Sequence, residues 1–240
     1  MDEQNTPLFP MRINKYLAWR KYATRRAADD LIKKGKVIIN GRTAVLGDKV
    51  QEADKIEVIE ARKKKHYTYL AYHKPVDLQT EEVKLEGCPP AARQVYPVGR
   101  LDKASRGLLI LTNDGRITDA LLNPAYEHEK EYVVTTDRKA SPGFKEKMES
   151  GVDIEGYRTR PAKIKIINDY IFSITLTEGK KHQIRRMCVA LHHEVRDLKR
   201  TRIMNIELGN LAPSQSRPIE GKELTTFLKQ LGFKDQIAVF

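Results

Sequence analysis

The sequence is poor in the features that build metal centres, disulfide frameworks and membrane spans. Its 240 residues contain two cysteines, Cys88 and Cys188, which lie 100 positions apart. This spacing suits neither a zinc knuckle nor a disulfide framework, and it fits a reducing cytosol best. No run of 18 or more residues is apolar, so we expect no transmembrane helix and no membrane partner. Residues 1–10 are acidic and polar, which argues against a secretory signal peptide.

Positive charge, by contrast, is in excess, and it is unevenly distributed. The formal net charge is +12 and the isoelectric point is near 9.6. Residues 11–65 alone carry +9 of this charge. A basic segment attached to a more neutral body is typical of a nucleic-acid-binding module followed by a second domain. The length allows one large domain or two of ordinary size, and 40% apolar residues suffice for a folded core.

The basic segment has the local signals of a small module of helices and a hairpin. Apolar residues at helical spacing predict helices over about residues 12–20 and 25–34. Thr24 is a suitable N-cap for the second helix, and Gly35 suits its C-terminal end. The Asn-Gly pair at positions 40–41, between β-branched residues, predicts a type I′ hairpin turn.

Cations lie on or beside the polar sides of these two helices, and few carboxylates interleave with them. We expect four of them to contact nucleic-acid phosphates: Arg12, Lys15, Arg25 and Arg26. A merely solvated charged face is the alternative interpretation. The predicted organisation is a tail (1–10), a nucleic-acid-binding domain (11–58), a basic linker (59–65), a larger domain (66–235) and a second tail (236–240).

The larger domain alternates short β-like runs with turns and brief helices. Strands that follow one another through short turns predict an α+β fold, with a mixed, mainly antiparallel sheet flanked by helices. The predicted strands are residues 67–72, 107–111, 131–136, 163–167 and 171–176, and the predicted helices are residues 116–122 and 144–150.

The most informative segment is VGRLDKASRGLLILTNDG, at residues 98–115. It places the carboxylate of Asp102 between Arg100 and Lys103, directly before an apolar run that predicts a strand buried on both faces. A loop that leads into a rigid sheet can hold a reactive group in place. On the residue pattern alone, an aspartate that caps a turn is the simpler interpretation.

Two further segments carry candidate functional side chains. Tyr132 alternates with strand residues in EKEYVV and could face a cleft, although a half-buried strand tyrosine is the commoner case. The segment TEGKKHQIRRM, at residues 177–187, predicts a turn leading into a helix. His182, Arg185 and Arg186 lie near the N-terminus of that helix, where backbone N–H groups favour anions. The apolar spacing of the same helix assigns Cys188 to packing.

These segments together resemble the pseudouridine synthases that modify ribosomal RNA and carry an N-terminal S4 RNA-binding domain. The resemblance extends to Lys74-Pro75 and to the V-x-x-L-x-R pattern from Val195 to Arg200. The runs RIMN and HEKEY are most similar to the large-subunit branch called type F, and MRINKYL, TRRAA and INGR resemble the S4 domain. Asp77 and His192 depart from the family, which usually has glycine at these positions.

The resemblance implies that the chain isomerises a uridine to pseudouridine in ribosomal RNA, with 23S RNA expected and transfer RNA left open as a second substrate. Asp102 would act at the ribose as nucleophile or general base, and Tyr132 would stack on the extruded uracil. Arg185 would be the ion-pair partner of Asp102, because a guanidinium opposes the rise in pKa that burial gives a carboxyl group. The reaction needs no cofactor, metal or obligate protein partner. The larger domain would hold the RNA through Arg100, Lys130, Lys181, His182, Gln183, Arg186 and Arg200.

Two other classes of protein remain open on residues alone. A non-catalytic RNA-binding protein would not need Asp102, Tyr132 and Arg185 together. A glycoside hydrolase also breaks a glycosidic bond, but it usually needs two facing carboxyl groups. Asp102 has only cations as its immediate charged neighbours in the sequence.

Overall fold

The computed structural model describes residues 8–59, 67–83 and 95–233. The chain divides into two compact units, one formed by residues 1–66 with 115–117 and the other by residues 67–114 with 118–240. The core of the predicted linker, at 60–65, and the predicted C-terminal tail lie outside the described residues, as does Cys88. No helix within the described ranges is both long enough and apolar enough to cross a bilayer.

The N-terminal unit consists of two helices and five short strands. They are β1 (Met11–Arg12), α1 (Ile13–Trp19), α2 (Arg25–Lys33), β2 (Val37–Ile39), β3 (Arg42–Thr43), β4 (Lys49–Val50) and β5 (Ile56–Val58). The hydroxyl of Thr24 accepts a hydrogen bond from the N–H of Ala27 at 3.1 Å, which confirms the predicted N-cap. Asn40 and Gly41 both have positive φ, as the predicted type I′ turn requires.

One pairing in this unit was not predicted. β1 and β4 form an antiparallel pair through Met11–Val50 and Arg12–Lys49, while β2 pairs with both β3 and β5. The two helices and these strands enclose one small apolar core: Met11, Ile13, Leu17, Ala28, Ile32, Val37, Ile39, Ala44 and Val50.

The larger unit is built on one extensive sheet. Its strands are β6 (Tyr69–Lys74), β7 (Tyr96–Val98), β8 (Arg106–Thr112), β9 (Lys130–Thr136), β10 (Asp153–Ile154), β11 (Tyr157–Arg158), β12 (Lys163–Asn168), β13 (Ile171–Leu176), β14 (Val195–Ile203), β15 (Ile206–Glu207) and β16 (Ser216–Pro218). The helices are α3 (Arg116–Leu122), α4 (Phe144–Glu149), α5 (Gln183–Ala190) and α6 (Gly221–Gln230).

The main path of the sheet runs β12-β13-β9-β14-β8-β6-β16, with β7 paired to β8 and β15 to β14. β14 and β8 are parallel, and the other pairs are antiparallel. The predicted mixed, mainly antiparallel sheet is therefore confirmed. α4 and α5 cover β9, β13 and β14 through one apolar cluster, in which Cys188 is buried as predicted. Burial raises the pKa of that thiol to about 12.

The parallel contact between β8 and β14 joins the two strands that organise the site. Gly107 pairs with Arg200, and a Cβ at Gly107 would lie 2.3 Å from the carbonyl oxygen of Arg200. Only glycine allows this approach. The charged sequence of β14 did not predict a central strand, because its polar side chains find partners far away along the chain.

The two departures from the family pattern share one backbone property. Asp77 has φ of 63° and His192 has φ of 63°, both in the left-handed region that favours glycine. This chain therefore keeps the turn at both positions while placing a side chain where glycine would be unstrained.

Candidate active site

Asp102 lies in the loop between β7 and β8, with one third of its side chain exposed. Its Oδ1 atom is 3.4 Å from Nε2 of His182, whose side chain is half exposed. His182 immediately precedes α5 and has a left-handed backbone conformation with φ of 51°. The Asp102 loop and the turn before α5, two of the three predicted segments, therefore meet at this carboxylate.

The backbone on both sides of Asp102 is fixed by buried polar groups. The hydroxyl of Thr80 donates to the carbonyl of Leu101 at 2.8 Å and accepts from its N–H at 3.0 Å. The ammonium of Lys74 donates to the carbonyl of Lys103 at 3.3 Å. Within the turn itself, the N–H of Ser105 donates to the carbonyl of Asp102. A reacting group on this loop would keep its position without side-chain rearrangement.

Lys74 is fully buried beneath the loop. It donates to the carbonyls of Pro75 at 2.8 Å and Leu78 at 2.7 Å, in addition to that of Lys103. Burial lowers the pKa of Lys74, while the nearby carboxylates of Asp102 and Asp77 oppose this shift. The sequence predicted only that a strand ends at Lys74. Its contact with the Asp102 loop joins residues that are distant in the chain, so no local pattern predicts it.

The predicted ion pair between Arg185 and Asp102 is wrong for this structure. Arg185 donates to the carbonyl of Ala104 at 3.0 Å, to Oγ of Ser105 at 3.3 Å and to the carbonyl of Val195 at 3.1 Å. Among the described residues, the carboxylate of Asp102 lies instead beside the imidazole of His182. Arg185 therefore contacts the site through Ala104 and Ser105, in the loop just after Asp102.

Tyr132 and Arg200 connect the third segment to the same loop. Tyr132 pairs with Arg200 across β9 and β14, and the guanidinium carbon of Arg200 lies 6.0 Å from the centre of the tyrosine ring. Tyr132 also packs against the apolar cluster that contains Leu101. Arg200 donates to the carbonyl of Leu108 at 2.7 Å and, more weakly, to that of Arg100 at 3.4 Å.

Two residues expected to bind RNA are buried, and the structure removes them from the candidate RNA surface. Arg200 is 4% exposed, and its bonds go to backbone carbonyls. Gln183 is also 4% exposed. Its amide nitrogen donates to Glu178 at 2.7 Å, and its oxygen accepts the N–H of Lys180 at 2.9 Å. Both side chains organise the site from inside the fold.

The turn that carries His182 is anchored on a buried carboxylate, which the sequence did not single out. Glu178 is 3% exposed and accepts hydrogen bonds from the amide of Gln183, the N–H of Arg160 and the hydroxyl of Tyr157 at 2.6 Å. The bond to Glu178 raises the pKa of Tyr157. The residues flanking His182 thus have little freedom.

The other residues expected to bind RNA differ in their solvent exposure and in whether they already form ion pairs. Seven of them are exposed: Arg12, Lys15, Arg25, Arg26, Arg100, Lys181 and His182. Arg100 forms an ion pair with Glu81, and Arg186 forms one with Glu155 at 2.8 Å. Lys130 is partly buried, and burial lowers its pKa, with a smaller contribution from Arg200. In the part of the chain that the structure describes, no group of three or more histidine, cysteine or acidic side chains is arranged to hold a metal ion.

Comparisons with known proteins identify the family of this chain. The sequence matches the family model of RNA pseudouridylate synthase over residues 57–190 and the S4 domain model over residues 11–56. It is 37% identical over 228 residues to the dual-specificity RNA pseudouridine synthase RluF of Escherichia coli, covering 91% of this chain and 79% of that protein.

Two further relatives extend the similarity. The ribosomal large subunit pseudouridine synthase B of Bacillus subtilis is 34% identical over 228 residues, covering 89% of this chain and 93% of that protein. A crystal structure of a pseudouridylate synthase superimposes with a TM-score of 0.67 at 27% identity, over 92% of this chain and 99% of that one.

Proposed function

This chain belongs to the RNA pseudouridylate synthase family and carries an S4 domain, and we propose that it isomerises one uridine of 23S ribosomal RNA with Asp102 as the reacting carboxylate. The large-subunit target is inferred from the name of the Bacillus subtilis relative. RluF of Escherichia coli is named as dual-specific, which keeps transfer RNA open as a second substrate.

One observation carries the assignment of Asp102. Its carboxylate is partly exposed, although the backbone on either side of it is tied to buried groups. A carboxylate that only caps a turn does not require a fully buried lysine, a buried threonine and an arginine to hold its loop. Such fixation is what a group needs when it must meet a sugar carbon at a set distance and angle.

The reaction redistributes bonds within one nucleotide. The N-glycosidic bond breaks, the freed uracil turns, and a carbon–carbon bond forms between its C5 and the sugar. The C5 proton is lost and the ring nitrogen gains a proton, so no oxidant or group donor enters. Asp102 would act on the ribose as nucleophile or general base, with His182 holding the carboxylate from the side. Arg185 would act as a positioning residue through Ala104 and Ser105.

The target nucleotide must leave its stack before Asp102 can reach the ribose, at a cost of about a few kcal/mol that is smallest in a loop or bulge. Tyr132 supplies an aromatic surface for the extruded uracil, and we assign the stacking role to it. Cations would hold the phosphates: the exposed Arg12, Lys15, Arg25, Arg26, Arg100 and Lys181, and the partly buried Lys130 and Arg186. His182 would share this task at the edge of the site.

Pseudouridine mapping in ribosomal RNA tests the proposal. RNA from cells that lack this protein should miss one pseudouridine of the large-subunit RNA, and expression of the protein should restore it. Transfer RNA mapped in the same cells distinguishes a single from a dual target. An unchanged large-subunit map would refute the proposed substrate, and the family assignment would stand.

A further inference from the structure

The solvent-facing side of α1 combines cations with the only tryptophan of the chain. Ile13 and Leu17 are buried in the core of the N-terminal unit. Lys15 and Trp19 are four residues apart on α1, which places them on the side opposite Ile13 and Leu17, and Arg12 is the extended residue directly before the helix. All three are exposed.

Trp19 is held by its neighbours and is still open to solvent. The guanidinium carbon of Arg20 lies 5.8 Å from the centre of the tryptophan ring, and Tyr16 lies 5.9 Å away in a tilted orientation. The residue nevertheless remains 38% exposed. The next aromatic residue, Tyr22, is 49% exposed, so the segment from 19 to 22 combines aromatic and basic side chains at the surface.

We propose that Trp19 stacks on an unpaired base of the RNA that the N-terminal unit binds. The inference rests on the proposed function, because it presupposes RNA as the partner. Exposed cations beside an aromatic ring supply the two contacts that single-stranded RNA offers, a phosphate and a base face. Lys15 lies four residues from Trp19 on α1, and Arg12 directly precedes the helix, so both cations are available to the phosphates of neighbouring nucleotides.

The chemistry of the patch favours RNA over a protein partner. Aromatic residues and arginine occur on protein-binding surfaces too, but lysine is depleted there, and Lys15 and Lys21 lie beside Trp19. Trp19 is followed directly by Arg20 and Lys21, and Lys15 shares its helix face. The patch also favours unpaired over paired RNA, because the base faces of a duplex are covered by stacking and only its grooves and phosphates are accessible.

A single tryptophan allows a direct test in the unmodified protein. Its emission, excited where tyrosine does not absorb, reports on position 19 alone. The probes are an RNA hairpin with an unpaired loop and the matched fully paired duplex, and labelled-RNA anisotropy measures binding independently. We expect the hairpin to change the emission and the change to saturate together with the anisotropy. The duplex should leave the emission unchanged even where it binds.

Substitutions of Trp19 measure how much its stacking contributes to RNA binding. Trp19→Ala should weaken hairpin binding about fivefold or more, the lower end of what base–aromatic stacking contributes. Trp19→Phe keeps a stacking face and should stay within about threefold of the wild type. Tyr170→Ala removes a comparably exposed aromatic residue, 43% exposed, from the larger unit and serves as the control. Circular dichroism of each variant checks that the unit has folded.

The outcomes separate the two proposals. Saturable hairpin binding without any change in emission would overturn the stacking role and leave RNA as the partner. Equal emission changes with hairpin and duplex would overturn the preference for an unpaired base. If neither probe binds while the protein is folded, both the stacking role and the proposed RNA partner fail.

Discussion

Cations serve opposite purposes in the two units of this chain. In the larger unit, Lys74 is fully buried and Arg200 is 4% exposed, and both donate to backbone carbonyls around the Asp102 loop. In the N-terminal unit, Arg25 and Arg26 are exposed, and no described carboxylate pairs with either of them. Net charge therefore indicates binding only where the cations reach solvent. Elsewhere the same residue types fix the geometry of the site.

The largest effect on stability is expected at Gly107, the residue that pairs with the buried Arg200. Gly107→Ala would place a Cβ 2.3 Å from the carbonyl oxygen of Arg200, at a backbone φ of 114°. Neither backbone can yield without disrupting the parallel pair, so we expect a loss of about 3 kcal/mol or more in the free energy of unfolding. Urea denaturation measures the loss.

Gly156→Ala is the matched control for this experiment. It also has positive φ, at 81°, but a Cβ added there would meet no atom within 4 Å. Backbone strain alone should then cost about 1–2 kcal/mol. Equal losses in the two variants would mean that the close approach of β8 and β14 contributes nothing.

Arg200→Met should lower turnover and spare RNA binding. The variant loses the bonds to Leu108 and Arg100 and the contact with Tyr132. Misplacement of the loop should reduce kcat roughly 10- to 100-fold, while the Kd for RNA and its salt dependence remain close to those of the wild type. Single-turnover kinetics and binding titrations at several salt concentrations separate the two effects.

The control for Arg200→Met is Arg196→Met on the same strand, where the side chain is 65% exposed. It should leave kcat unchanged. A reduced salt dependence of RNA binding in Arg200→Met would mean that Arg200 contacts RNA phosphates, contrary to what its burial indicates.

The exposed arginines of the N-terminal unit should show the reverse pattern, with weaker RNA binding and unchanged turnover. The double substitution Arg25→Gln with Arg26→Gln should weaken RNA binding about tenfold at moderate salt and reduce the slope of log K against log salt by roughly two. The kcat at saturating RNA should not change. Arg138→Gln, an exposed arginine of the larger unit, is the control. An unchanged salt slope would show that the basic face of α2 is only solvated.

Local sequence signals predicted some elements of the fold correctly, whereas elements that depend on contacts between distant residues escaped prediction. Thr24, Asn40-Gly41 and the apolar run of β8 predicted their elements correctly, because capping, turn geometry and periodicity act over a few residues. β14 escaped prediction because its charged residues find partners far away along the chain: Asp197 binds Arg106, Arg202 binds Glu131, and Arg200 donates to the carbonyl of Leu108.

The structure brings the segments of Asp102, Tyr132 and Arg185 together, but their contacts differ from the predicted ones. Spacing could not tell whether His182 or Arg185, three residues apart, would face the carboxylate. His182 takes that place, and Arg185 binds the backbone. Thr80 and Glu178 gave no signal, since a buried threonine or glutamate is ordinary until its partners are known.

The smallest expected effect concerns the turn after α5. His192 adopts φ of 63°, in the left-handed region that favours glycine, so His192→Gly should relieve strain. We expect a gain of about 0.5–1 kcal/mol in the free energy of unfolding, less whatever the imidazole contributes. Thermal and urea denaturation measure it, and a loss of stability would show that the side chain has a contact worth more than the strain.

The central claim is that the carboxylate of Asp102 performs the chemistry, and Asp102→Asn tests it most directly. Pseudouridine formation on a large-subunit RNA fragment is measured under single-turnover conditions, with RNA affinity measured in parallel and Asp119→Asn, an exposed aspartate on α3, as the control. If the carboxylate performs the chemistry, Asp102→Asn abolishes product while its Kd stays within about threefold, because the amide keeps the shape and loses the charge. Turnover retained by Asp102→Asn at a rate close to that of Asp119→Asn would contradict it.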